Sequence, residues 1–174
     1  KNINEVFSYI KNKILSKQKI FWVCPKIEDE KLENNYNVEK RFIYLKKYFD
    51  KVSVLHGKMK PYEKVNALED FRKGKINLLV STVVIEVGID VPDANIIVID
   101  NADRFGLAQI HQLRGRVGRG SNEGVCILLY NDELSEIALE RLLIMKKSQN
   151  GFEIAEKDLE LRGSGEIMGT KQYG

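Results

Sequence analysis

Five short runs in this 174-residue chain are apolar with hardly a break, and helical periodicity appears in most of the stretches between them. The runs are Ile20 to Cys24, Val52 to Leu55, Leu78 to Val80, Ile96 to Ile99 and Val125 to Tyr130. A strand with one wet face alternates apolar and polar residues, whereas a strand covered on both faces does not. Strands of the second kind, separated by helices except for the linker STVVIEVGIDVPDA with Gly88 and Pro92 between the third and fourth, predict an α/β fold: a parallel sheet with helices on both faces.

The helices follow from their stripes. Ile3, Val6, Phe7, Ile10 and Ile14 predict an amphipathic helix before the first strand, and Val38, Phe42, Leu45 and Phe49 predict a second after a charged, Asn-rich loop from Glu28 to Asn37. Pro61 opens a third at the position where its missing N–H is harmless; Val65, Leu68 and Phe71 supply its core side, and Gly74 closes it. Beyond the last strand the pattern changes. Leu134 and Leu139 flank Ser135 as a hydrophobic staple around an N-cap, Ile137, Leu142 and Met145 line the helix that follows, and Asn150-Gly151 stops it. A second helical stretch, Ile154 to Leu161, runs into Arg162-Gly163 and a glycine-spaced end, GEIMGTKQYG. The expected organisation is a sheet domain over 1–131 and a C-terminal helical hairpin and loop over 132–174.

Composition constrains the partners. With 28 basic and 25 acidic residues the formal net charge is +3, so any nucleic-acid contact must come from a local patch. Cys24 and Cys126 sit in apolar runs without zinc-type spacing and are expected to be buried free thiols, which suits a reducing cytoplasm. His56 and His111 likewise lack ligand spacing, so no metal site is expected. No apolar run approaches the ~18 residues of a membrane span, and no membrane partner is expected. A start at Lys1 without an initiator Met is read as a piece of something larger.

The stretch QIHQLRGRVGRG, Gln109 to Gly120, carries the chemistry. If helical from about Gly106, it places Gln112, Arg116 and Arg119 on one face and Ile110, Leu113 and Val117 on another. Gly115 and Gly118 cost about 1 kcal/mol each in a helix, and removing Cβ beside two guanidinium groups lets a phosphate come close. The other polar residues of interest, Lys26, His56-Gly57, Ser81-Thr82, and Asp100 with Arg104, all fall just past a strand's C-terminal end, the edge where open α/β sheets bind ligands. No G-x-x-x-x-G-K-[ST] phosphate cradle occurs. IIVID ending at Asp100 and ILLYNDE ending at Asp132-Glu133 look like Walker-B strands but are read as strand ends and turns, and Trp22 is read as core.

QLRGRVGRG resembles motif VI of superfamily 2 helicases, Ser81-Thr82 through Glu86, Gly88 and Asp90 resembles their motif V, His56-Gly57 with Met59 matches the segment between motifs IV and V, and the strand ending at Cys24-Pro25 is similar to motif IV. Phe105 to Gly120 together with KDLELRGSGEIMGTKQYG resembles most the RecG-type branch, which implies a second RecA-like domain followed by a translocation motif. The resemblance implies that Arg116 and Arg119 reach the γ-phosphate of ATP across a cleft with Gln112 nearby, that Asp90, after the Gly88 turn, contacts the nucleotide ribose or tethers those arginines, and that Glu86 belongs with Gly88 and Asp90 to the nucleotide side. It implies DNA contacts at Ser81, Thr82, His56 and Gly57, and coupling of ATP turnover to movement through Arg141, Arg162 and Gln172.

ATP and Mg2+ would be held mainly by an N-terminal RecA-like motor domain outside this chain, so the segment alone should not hydrolyse ATP. The implied partners are branched double-stranded DNA, that motor domain and a wedge domain of the same protein, in a monomer working in the bacterial cytoplasm at the nucleoid. The implied function is remodelling of stalled forks and junctions in recombination and repair. Two alternatives stand beside it: the same domain of a transcription-repair coupling factor, and a non-catalytic nucleic-acid-binding module on the same fold.

Overall fold

The computed structural model describes residues 3–25, 38–82, 94–115, 124–130 and 134–147. Its centre is a parallel sheet of five strands, β1 (Ile20–Cys24), β2 (Val52–Leu55), β3 (Leu78–Thr82), β4 (Ile96–Ile99) and β5 (Val125–Leu128), in the order β2-β3-β1-β4-β5. Five helices accompany it among the described residues: α1 (Ile3–Leu15), α2 (Val38–Lys46), α3 (Pro61–Arg72), α4 (Leu107–Arg114) and α5 (Glu136–Lys147), with a 3-10 turn at Ala102–Arg104. None is long and apolar enough to cross a membrane.

Strand periodicity of two divides the core into two layers. On one face Ile20, Trp22 and Cys24 of β1 pack with Leu78, Val80, Ile96 and Val98 under α1 and α2, which contribute Val6, Phe7, Ile10, Val38 and Leu45. On the other, Phe21 and Val23 pack with Leu79, Ile97 and Ile99 under α3, α4 and α5, which contribute Phe71, Ile110, Leu113, Leu142 and Met145. Every β1 residue is buried, which is why the run shows no alternation. The chain passes from β1 outward to β2 through α2 on one face and back to β3 through α3 on the other. A reversal of direction must change face if both crossovers keep the same hand.

Helix ends follow local chemistry. Pro61 occupies the first turn of α3, and Glu63 Oε2 accepts the Lys60 backbone N–H at 2.9 Å. Gly74 at φ +80° ends the helix in the left-handed region. The Ser135 hydroxyl accepts the Ala138 N–H at 3.1 Å, capping α5 as its sequence predicts.

Four expectations need correction. Val65 is 58% exposed; the core side of α3 is Ala67, Leu68 and Phe71. At 100° per residue, Ala67, Phe71 and Leu68 share one arc and Val65 lies about 60° beyond its edge. Ser81 and Thr82 are not past β3 but are its last two residues, paired with Val23 and Cys24 of β1. β5 stops at Leu128, short of Tyr130. Cys126 is half-buried, while Cys24 is fully buried; both thiols are free. Burial and the Asp100 carboxylate push the Cys24 thiol far up, and burial raises Cys126 to about 11.

Candidate functional site at the carboxyl edge of the sheet

β1 and β4 are neighbours, yet the chain leaves β1 towards α2 on one face and β4 towards α4 on the other. Their carboxyl ends therefore flank the crevice at which open α/β sheets place ligands. Asp100 follows β4 here, its backbone N–H donated to the Val23 carbonyl at 2.8 Å. Its carboxylate does not face an open site. Arg41 of α2 forks onto it, Nε to Oδ2 at 2.5 Å and Nη2 to Oδ1 at 3.3 Å, and the Trp22 indole donates to Oδ2 at 3.1 Å. The guanidinium also lies 5.8 Å from the Trp22 ring centroid and 5.6 Å from that of Tyr44. Both carboxylate oxygens are engaged by Arg41 and Trp22, and the side chain is only 5% exposed. Among the described residues no group of three or more His, Cys, Asp or Glu side chains could hold a metal. The strand-end reading of Asp100 holds; Trp22 is core, as expected, but with a polar task as well.

His56, just past β2, is tied into its own turn. Its Nδ1 accepts the Lys58 backbone N–H at 3.3 Å, which puts the ring proton on Nε2, and Nε2 meets Glu39 Oε1 of α2 at 3.1 Å. Both ring nitrogens are engaged within the protein. What the turn presents is the exposed backbone of Gly57, where an added Cβ would meet nothing within 4 Å. At the end of β3, Ser81 is buried and donates its hydroxyl to the Thr82 carbonyl at 3.0 Å, leaving Thr82 as the half-buried polar residue of the pair.

The arginine-bearing stretch begins as expected. The Gly106 N–H is capped by Gln109 Oε1 at 3.1 Å; α4 then buries Leu107, Ile110 and Leu113, exposes Gln112 and ends at Gly115, whose N–H returns to the His111 carbonyl. Arg116 and Arg119 lie outside the described residues, as do Lys26, Glu86, Gly88, Asp90, Arg162 and Gln172 and the whole second hairpin helix. The helical alignment of Gln112 with the two arginines is therefore described only as far as Gly115.

Arg114, a residue that the sequence did not single out, is the link to the tail. Its Nη1 donates to the Met145 carbonyl of α5 at 2.7 Å and its Nη2 lies 3.3 Å from His111 Nδ1. Met145 falls in the last turn of α5, where carbonyls lack helical partners and a cation is favoured. Arg141, on the same helix, is partly buried, and its Nε has no hydrogen-bond partner among the described residues.

With the fold and its edge in view, the comparisons define a class. Residues 2–121 match the model of the helicase conserved C-terminal domain, and the chain belongs to that family. Within it the chain is similar to RecG. It is 45% identical over 160 residues to the ATP-dependent DNA helicase RecG of Pasteurella multocida, covering 91% of this chain and 23% of that protein. It is 48% identical over 156 residues to that of Escherichia coli K12, covering 88% and 22%. The chain thus spans about a quarter of the length of the curated relatives it matches. RecG bound to a three-way DNA junction superimposes with a TM-score of 0.76 at 42% identity, over 95% of this chain and 21% of that one. The C-terminal domain of the DEAD-box protein Dbp5, at 24% identity and a TM-score of 0.54 over 81% of this chain and 76% of that one, shares the fold. The RecA-like architecture expected from the motifs is the one observed.

Proposed function

We propose that this chain is the second motor lobe of an ATP-dependent double-stranded DNA translocase that remodels branched DNA, stalled forks and junctions, in recombination and repair. The observation that carries the reading is the direct bond from Arg114, within the arginine motif, to α5, the first helix of the tail. A motor lobe needs such a path between its nucleotide side and its DNA side. The similarity to RecG, one example of which was solved on a three-way junction, supports the choice of DNA substrate.

In this reading Arg116 and Arg119 stabilise charge on the γ-phosphate of an ATP held, with its Mg2+, by an N-terminal motor lobe of the same protein, and Gln112, which is exposed, assists them. Gly88, Asp90 and Glu86 border the nucleotide. Thr82 takes a DNA phosphate, with Ser81 orienting it through the Thr82 carbonyl; Gly57 offers its backbone to the strand, with His56 holding the turn. Arg141, Arg162 and Gln172 pass turnover to movement along the duplex. The sheet unit 1–131 and the tail 132–174 are the two working parts, in a monomeric protein of the bacterial cytoplasm with a wedge domain elsewhere in the chain.

The test is Arg119→Lys in the complete protein. DNA-stimulated ATP hydrolysis is expected to fall by about 10³- to 10⁵-fold, the range for loss of such a finger, with junction binding unchanged. Retained hydrolysis refutes the role, and a loss of salt-sensitive DNA binding in its place supports a non-catalytic binding module.

A further inference from the structure

The seam between α5 and the elements beneath it carries a polar contact and, among the described residues, two buried polar atoms without a partner. The contact is Arg114 to the Met145 carbonyl. The unpartnered atoms are Asp103 Oδ1, in the 3-10 turn after β4, and Arg141 Nε on α5: both are buried and neither has a hydrogen-bond partner among the described residues. The turn and the helix pack against each other, and Ala102 and Phe105 of the one share a core cluster with Leu142 and Met145 of the other. An acceptor that lacks a donor and a donor that lacks an acceptor thus sit on facing elements of one seam. Leaving either buried atom unpaired costs about 1–3 kcal/mol, more for charged groups, and such a deficit in a native structure calls for an explanation.

We propose that Asp103 is the carboxylate that positions Arg141, and that the two close as an ion pair when α5 turns about its fixed point at the Arg114–Met145 bond. Arg141 and Met145 are one helical turn apart, so a small rotation about the Met145 end moves the Arg141 guanidinium along the seam without breaking the apolar packing of Leu142. The pair gains charge-assisted hydrogen bonds in a water-poor seam and relieves both unpaired atoms at once. Arg114 lies two residues before Arg116, so a pull on the finger residues reaches the pivot directly. The inference rests on the reading of Arg141 as a coupling residue; Asp103 acts through Arg141 and touches neither nucleotide nor DNA.

The experiment is a double-mutant cycle in the complete protein with Asp103→Asn, Arg141→Gln and both together, reading ATP hydrolysed, fork DNA unwound and thermal midpoint. Asp103→Asn is expected to keep DNA-stimulated ATPase and thermal midpoint while unwinding per ATP falls about tenfold, with the double variant no worse than Arg141→Gln alone. Charge exchange, Asp103→Arg with Arg141→Asp, is expected to recover part of the unwinding. Unaltered unwinding in Asp103→Asn, losses that multiply in the double variant, or a parallel fall in ATPase and thermal midpoint overturns the pairing. If Arg141→Gln itself unwinds normally, the coupling reading falls with it; if Arg141→Gln uncouples and Asp103→Asn does not, only the pairing falls.

Discussion

Replacing Asp100 by Ala should cost more stability than any other single polar truncation at the carboxyl edge, and the magnitude can be worked from its partners. The carboxylate takes two hydrogen bonds from Arg41 and one from the Trp22 indole, with side-chain exposures of 5% for Asp100 and 26% for Arg41. Removing one partner of a buried pair costs about 3–5 kcal/mol. Arg41 retains a quarter of its surface in water and keeps the Trp22 and Tyr44 rings, which places its share near 3 kcal/mol, at the bottom of that range. The stranded indole N–H, in a ring with no exposure, adds about 1 kcal/mol. The total, about 4 kcal/mol, is a large fraction of the 5–15 kcal/mol that holds a domain together. Urea denaturation of the chain followed by Trp22, its single tryptophan, measures it directly. Asp100→Asn, which keeps an acceptor for the indole, should cost about half as much. A loss below about 1 kcal/mol for Asp100→Ala, or strict additivity of Asp100→Ala with Arg41→Met, would show that the fork contributes no net stability.

Two further outcomes can be checked on the same chain. Ser135→Ala removes the acceptor for the Ala138 N–H at the start of α5 and should cost about 1 kcal/mol, seen as a lower urea midpoint with an unchanged slope. Cys126, raised to about 11, should alkylate at pH 8 roughly two orders of magnitude more slowly than a free thiol. Its folded value lies above its unfolded one, so the stability it contributes is intact below pH 9 and declines as pH rises towards 11; Cys126→Ala should flatten that part of the pH–stability curve.

What could be read from the residues was what depends on neighbours in sequence. Burial on both faces writes itself into β1 and β4 as unbroken apolar runs, and the Pro61, Gly74 and Ser135 boundaries are local backbone chemistry, so these were legible. Val65 misled because a valine three residues from a buried leucine fits a stripe, and only the orientation of α3 on the sheet decides which edge of the stripe is wet. The Arg41–Asp100–Trp22 group joins residues 59 and 78 positions apart, through a strand order that the sequence does not state. His56 was found by its position after β2, but the commitment of its ring to Glu39 depends on α2 lying alongside. The arginine motif was legible as a pattern, and Arg116 and Arg119 fall outside the described residues.

Arg114 was passed over because the resemblance assigns the phosphate contacts to other arginines of the motif, yet it joins α4 to α5 by a polar bond. Burial of Leu113, Leu142 and Met145 holds α4 and α5 in one core, but apolar contact is non-directional and would tolerate a range of positions along the seam. A 2.7 Å bond from a guanidinium to one particular carbonyl does not. Register between α4 and α5 is thus set by a polar contact laid over apolar packing. Were the two helices joined by apolar burial alone, Arg114→Ala would leave unwinding per ATP unchanged in the complete protein; the bond predicts that it falls while ATP hydrolysis persists.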